Sequence, residues 1–233
     1  MAPLSIIVRR PNWHRYLLSA FLRIICSNEK PKRRAIVDRH RPSKEGGYDY
    51  HRNLRNSIKK LAVRSHDLKE ILAEIANITK PSERRSTKRG VVSFLRWIKV
   101  NGGSITFCDP VFINSPSGLF KIRFDANCVV EINGRRTAIH VWNTQNPKLS
   151  RREVLAALAL VRRNVTAKVD TADDFAVLSL QDGNLYKWSD SLKGHDSLAD
   201  SILLQLDQLC SLARSEFGLP QIGNRRDGPS LSI

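Results

Sequence analysis

Apolar residues recur at helical spacing through the first hundred positions and alternate after Asn101-Gly102-Gly103, so the chain predicts helices first and strands second. Residues 12–26 read as a short amphipathic helix, with Trp13, Leu17, Phe21, Ile24 and Ile25 on one face and Arg15, Ser19 and Arg23 on the other. Residues 28–47 read as a linker, punctuated by Pro31, Pro42, Gly46 and Gly47. From Asn53 to Ile78, Leu54, Ile58, Leu61, Leu68, Leu72 and Ile75 keep a 4–3 spacing, with Ser65 in the one missing place. That pattern predicts one long helix with a single buried stripe, ended by Thr79-Lys80-Pro81. A second helix over about residues 83–99 buries Val91, Phe94, Leu95 and Ile98.

Beyond the glycines, Ile105 and Phe107 start a strand that Asp109-Pro110 interrupts. Leu119 to Asp125 alternates, placing Phe120, Ile122 and Phe124 opposite Lys121 and Arg123. Residues 127–132 and 136–142 form a hairpin on Asn133-Gly134. Ser150 and Glu153 have capping-box spacing ahead of a helix that is apolar nearly all round and therefore predicted to be covered on both sides. Phe175–Leu180 and Leu185–Trp188 are strands joined by Asp182-Gly183-Asn184. A last helix over about residues 197–217 uses Leu198, Ile202, Leu206, Leu209, Ala213 and Phe217 and stops at Gly218-Leu219-Pro220. The expected architecture is α+β: a small antiparallel or mixed sheet flanked by helices. One domain spans residues 47–218, a basic N-terminal extension occupies 1–46, and 219–233 form a disordered tail.

A hydrophobic content of 41% supplies a real core and excludes global disorder. Cys26, Cys108, Cys128 and Cys210 show neither C-x-x-C nor zinc-ligand spacing, so they read as reduced thiols. No stretch reaches the roughly 20 apolar residues a spanning helix needs; the longest, Leu17 to Cys26, is interrupted by Arg23. The first 28 residues hold four arginines and no acid before Glu29, a composition shared by organelle transit peptides and by basic helices retained in the mature chain; the second reading is preferred. Lys30 to Arg34 also passes as a short nuclear-localisation run. A cytoplasmic or nucleoid-associated location is expected, with organelle or nucleus reserved for a eukaryotic source.

Charge sharpens the picture. The chain carries 39 Lys and Arg against 22 Asp and Glu, a net charge of +17. Residues 1–99 hold 24 of those cations against 8 acids, and the remainder holds 15 against 14. A charge this large and one-sided points to a polyanionic partner, DNA or RNA before an anionic membrane. Lys32, Arg33, Arg34, Arg39 and Arg41 are read as a flexible arm that adds phosphate contacts. Arg84, Arg85, Lys88 and Arg89 occupy the first turns of their helix, where the dipole penalises cations and a bound phosphate would relieve the repulsion. No helix-turn-helix, zinc finger or RNA-recognition motif is present. The broad apolar face of residues 12–26 is expected to dock on its own domain first, with a protein partner or a membrane surface as the alternatives.

No G-x-S-x-G, Walker A, G-x-G-x-x-G or H-E-x-x-H sequence is present, and nothing orients Cys26 and His14 as a nucleophile pair. The order of elements over about residues 50–217 resembles the restriction-endonuclease-like PD-(D/E)XK superfamily. That resemblance implies an Asp late in the second strand of the meander and Glu-x-Lys on the third, two carboxylates holding a divalent metal and the Lys steadying a water. Here the third strand reads Ala138-Ile139-His140-Val141-Trp142, so His140 and Trp142 stand where Glu and Lys are required. Both are expected to serve sheet packing, and Glu131 to face Arg135 or Arg136 across the hairpin. The expected protein is therefore a non-catalytic, nucleic-acid-associated one with a nuclease-like frame, no catalytic or metal-binding residue and no cofactor. The alternatives are an atypical Mg²⁺-dependent nuclease using Glu131 with Asp125 or His140, and a protein or membrane-surface adaptor using the N-terminal amphipathic helix.

Overall fold

The computed structural model describes residues 14–41, 48–63, 67–102, 105–165 and 172–219. Its elements begin with β1 (His14–Leu17), α1 (Leu18–Ile25) and α2 (Glu29–His40). A helical layer follows: α3 (Arg52–Ala62), α4 (Leu68–Ala76) and α5 (Pro81–Asn101). Then come β2 (Ile105–Thr106), β3 (Val111–Asn114), β4 (Phe120–Phe124), β5 (Cys128–Ile132) and β6 (Arg135–Trp142). The chain continues through α6 (Arg151–Arg163), β7 (Asp174–Ser179), β8 (Leu185–Lys187) and α7 (Gly194–Glu216). The fold is α+β, as expected.

The main sheet has the order β2-β5-β6-β7-β8, antiparallel throughout except for the parallel pair β6–β7, which α6 connects. The β5–β6 hairpin turns on Asn133 and Gly134, whose φ angles of 51° and 73° suit the right-handed twist of the strands it joins. Its register pairs Glu131 with Arg136. Alternation sends Cys128, Val130, Ile139, Val141, Ala176 and Leu178 to one face, where they pack with Leu54, Ile58, Ile71, Ile75, Val91 and Phe94 of α3, α4 and α5. Val129, Ala138, Trp142, Phe175 and Val177 point the other way, toward α6 and the elements behind it. Every residue of β7 is buried, as a strand covered on both faces requires. Residues Val154 to Val161 of α6 are buried too, which answers the all-round apolar pattern.

The strand at 119–125 does not join this meander. As β4 it forms a second, three-stranded sheet, parallel to β1 and antiparallel to β3. Phe120, Ile122 and Phe124 face inward, and Tyr16 meets Phe120 edge-on at 5.5 Å. Residues 14–17 thus form a strand, where the spacing predicted helix; only the continuation is α1.

Further expectations are corrected. The segment read as a linker forms α2, whose Ile36 and His40 are buried. Residues 14–41 are no appendage: Tyr16, Leu18, Phe21, Leu22, Ile24, Ile25 and Ile36 belong to the same core as α6 and α7. The apolar face of α1 docks on its own domain, the first of the three expected uses, and so is not offered to a protein partner. The long helix at 53–78 is two helices. Asp67 starts the second with a capping box, its carboxylate accepting from the Glu70 N–H (2.8 Å) while the Glu70 carboxylate accepts from the Asp67 N–H (3.1 Å). The Ser150 hydroxyl, by contrast, donates to the Glu153 side chain and caps no backbone N–H. Residues 1–13, 42–47, 64–66, 103–104, 166–171 and the tail from 220 lie outside the described residues, and Trp13, Lys44, Ser65 and Gly103 with them. Among the described residues no helix is long and apolar enough to cross a membrane.

Candidate nucleic-acid interface

Pro81 starts α5, its fixed φ and missing N–H suiting the first helical position, and Glu83 places a carboxylate where the dipole favours one. Glu83, Thr87, Gly90, Val91 and Phe94 turn inward. Gly90 lets the helix approach α3 closely: a Cβ there would lie 2.8 Å from Leu54 Cδ1 and 3.1 Å from Asn143 Nδ2. The opposite face is basic. At 3.6 residues per turn, Arg84, Arg85, Lys88, Arg89, Arg96 and Lys99 fall within an arc of about 140°, and all six are exposed. Arg84 Nη1 donates to the Ala76 carbonyl at 3.2 Å, satisfying an acceptor at the end of α4. Among the described residues no carboxylate comes within ion-pair distance of Arg85, Lys88, Arg89, Arg96 or Lys99. Arg96 and Lys99 were missing from the set drawn from the sequence, although their spacing from Arg85 and Lys88 was the available signal.

The N-terminal end of this face carries a second feature that the sequence reading missed. Glu83 is only 2% exposed. It accepts hydrogen bonds from the Tyr48 hydroxyl and from Asn53 Nδ2 (2.8 Å). Tyr48, pinned by its oxygen, leaves 67% of its surface exposed. The Lys80 ammonium lies 4.9 Å from the Tyr48 ring centre and 5.6 Å from that of Tyr50. Asp49, between the two tyrosines, is tied to Arg55. Behind them His51 Nε2 lies 3.1 Å from Thr144 Oγ1, with burial and then Arg55 holding its pKa below the ordinary value. Asn143 Nδ2 reaches the carbonyl and hydroxyl of Ser86, and Gln181 Nε2 reaches Asn143 in turn (both 3.0 Å). The ends of β6 and β7 are thereby bolted to α5.

The cations of α2 are placed differently. Lys32 pairs with Glu29 at 2.9 Å, Arg34 and Arg41 reach Asp38 at 3.7 and 3.9 Å, and the Arg39 guanidinium lies 4.7 Å from the Tyr16 ring centre. Arg33 is exposed. This helix packs on α7, on the side of the main sheet away from α5, so the two basic sets do not share a face. Arg23 and Arg34 line an open cleft of about 500 Å³ with Asp38, Asn28 and Cys26. Burial pushes the Cys26 thiol up to about 11.

The positions singled out by the nuclease resemblance are not gathered into an ion site. His140 is 3% exposed and both ring nitrogens are engaged, Nε2 with Ser19 Oγ (2.7 Å) and Nδ1 with the Asp125 carbonyl (3.2 Å). Trp142 is packed in the core at 2% exposure. The Asp125 carboxylate meets Arg123 at 3.1 Å and Lys59 at 3.5 Å. Glu131 is exposed opposite Arg136, four residues along β6 from His140, a separation of about 13 Å at 3.3 Å per residue. Among the described residues no group of three or more His, Cys, Asp or Glu is arranged to hold a metal.

No family model matches the chain, and no curated protein matches it. Among solved structures the chain is similar to one described as the crystal structure of SSO0001, with 15% identity and a TM-score of 0.33 over 77% of this chain and 84% of that one. At that score the likeness carries no argument about fold or activity.

Proposed function

We propose that this is a nucleic-acid-associated protein that grips the phosphate backbone with the outer face of α5. The observation that carries the reading is the ridge of Arg84, Arg85, Lys88, Arg89, Arg96 and Lys99, exposed along one arc of a helix whose other face is locked into the core. Cations held in a rigid row repel one another, and a polyanion is the partner that removes the repulsion. Arg33, exposed on α2, lies on the other side of the main sheet and takes no part in this grip, while Lys32, Arg34, Arg39 and Arg41 are engaged within the protein. The reading is of binding without cleavage on a nuclease-like frame, because the groups at the expected catalytic positions are spent on packing and ion pairs. A cytoplasmic or nucleoid-associated location goes with it.

The test is the salt dependence of binding to a labelled duplex. Replacing Arg84, Arg85, Lys88 and Arg89 together by Gln should weaken binding alike for unrelated sequences. The slope of log K against log salt should flatten by about 0.9 for each phosphate that the variant no longer neutralises. Unchanged affinity and slope would remove α5 as the interface.

A further inference from the structure

We infer that Tyr48 is a stacking platform for a base of single-stranded nucleic acid, set at the end of the basic ridge; this rests on the phosphate-binding reading of α5. An exposed tyrosine normally gains little from being ordered. Here the ring is held by its hydroxyl on the buried Glu83, itself fixed by Asn53, while 67% of the side chain remains open. The ordering cost of a stacking contact is thus met in the free protein. Lys80 stands over both Tyr48 and Tyr50, so a base would stack on the ring face it leaves open, with the ammonium close by to attract the backbone. Arg85, Lys88 and Arg89 continue the track along the helix. Among the described residues the local acids do not oppose it: Asp49 is bound to Arg55, and Glu83 is buried and bonded to the Tyr48 hydroxyl. Aromatic rings interleaved with cations serve unpaired bases, which expose their faces; a duplex hides them in its own stack.

The experiment uses the full chain, a fluorescein-labelled oligothymidylate and a duplex of equal length. Tyr48→Ala should weaken single-strand binding about five-fold or more, the effect of removing the stack on one base, and leave duplex binding within about two-fold. Tyr48→Phe keeps the ring but loses its anchor on Glu83, so it should bind the single strand more weakly than the native chain and more tightly than Tyr48→Ala. Tyr48→Trp should show fluorescence quenching on adding oligothymidylate beyond that of the native chain, which keeps the test decisive if the alanine variant does not fold. Equal weakening on both probes, none on the single strand, a Phe variant as weak as Ala, or no added quenching in Trp would each overturn the platform. In those cases the α5 substitutions still decide the phosphate reading separately. A native chain that binds neither probe overturns both.

Discussion

Ser19 Oγ lies 2.7 Å from Nε2 of His140, and the other ring nitrogen reaches the Asp125 carbonyl. A carbonyl only accepts, so the ring carries its proton on Nδ1 and accepts the serine hydroxyl's hydrogen bond at Nε2. One neutral imidazole therefore joins α1 to the middle strand of the main sheet and to the end of β4. A second proton would make Nε2 a donor and oblige the Ser19 hydroxyl to turn and accept from it. Burial is the main cause that pushes the His140 pKa down to about 4.

The consequence is acid sensitivity of folding. Between about pH 6.5 and about pH 4 the unfolded chain binds a proton at this position and the native chain does not, so stability falls as pH falls through that window. His140 alone accounts for up to about 3 kcal/mol by pH 4. His14, whose ring centre is 4.1 Å from that of His40, acts in the same direction; burial, then His40, Arg214 and Arg39, bring its pKa down to about 4. Urea unfolding across this range should show a flatter pH dependence in His140→Gln than in the native chain. Parallel curves would show that the imidazole is not the sensor.

Local signals were legible in the sequence and distant pairings were not. Asn133-Gly134 fixed the hairpin because both residues accept positive φ, and the uniform apolarity of α6 announced its central place. The pairing of β1 with β4 joins His14 to Phe120, and no periodicity within either segment encodes it. Four residues of β1 fit a helical stripe as well as a strand. Pro31 suggested a linker, yet it falls in the first turn of α2, where proline is tolerated. The break at Asp67 was readable, since Asp67 and Glu70 have capping-box spacing, but the 4–3 stripe on either side masked it. Of the site, Arg84 to Arg89 were evident from clustering, whereas Tyr48 depends on a contact with Glu83 that only the fold supplies.

Removing residues 1–41 should unfold the protein and not merely trim its charge. The deletion takes away β1, exposes one edge of β4 and strips Phe21, Leu22 and Ile36 from the core. Circular dichroism and thermal melting of the truncated chain should show no cooperative transition. A truncated chain that melts cooperatively near the native temperature would restore the view of this segment as an arm.

Gly90→Val should destabilise by about 1–3 kcal/mol, the usual cost of overpacking a filled contact. The added carbons would press on Leu54 and Asn143, the second of which links α5 to the end of β6. Any gain in helix propensity over glycine is smaller than about 1 kcal/mol. Chemical denaturation measures the difference directly, and a variant as stable as the native chain would mean that α3 and α5 are not held at this approach.

Asp67→Ala should cost about 1 kcal/mol by removing one half of the capping box at the start of α4. Glu70→Ala should cost a similar or smaller amount, and the double variant less than the sum, because the two hydrogen bonds brace each other. Strict additivity in the double-mutant cycle would show the two hydrogen bonds to be independent.

Divalent cations decide between binding and cleavage. A catalytic Mg²⁺ requires oxygen ligands converging on one point. Asp125, the carboxylate nearest the expected position, is already neutralised by Arg123 and Lys59, His140 has no free nitrogen, and Glu131 stands about 13 Å away along its hairpin. Millimolar Mg²⁺ or Mn²⁺ should therefore leave the melting temperature unchanged, since an ion bound only to the native state would raise it. Single-stranded and duplex probes should be bound and recovered intact. Cation-dependent cleavage that disappears in Asp125→Ala or Glu131→Ala would reverse this conclusion, because it would require the carboxylate to exchange its arginine and lysine for a metal when substrate arrives.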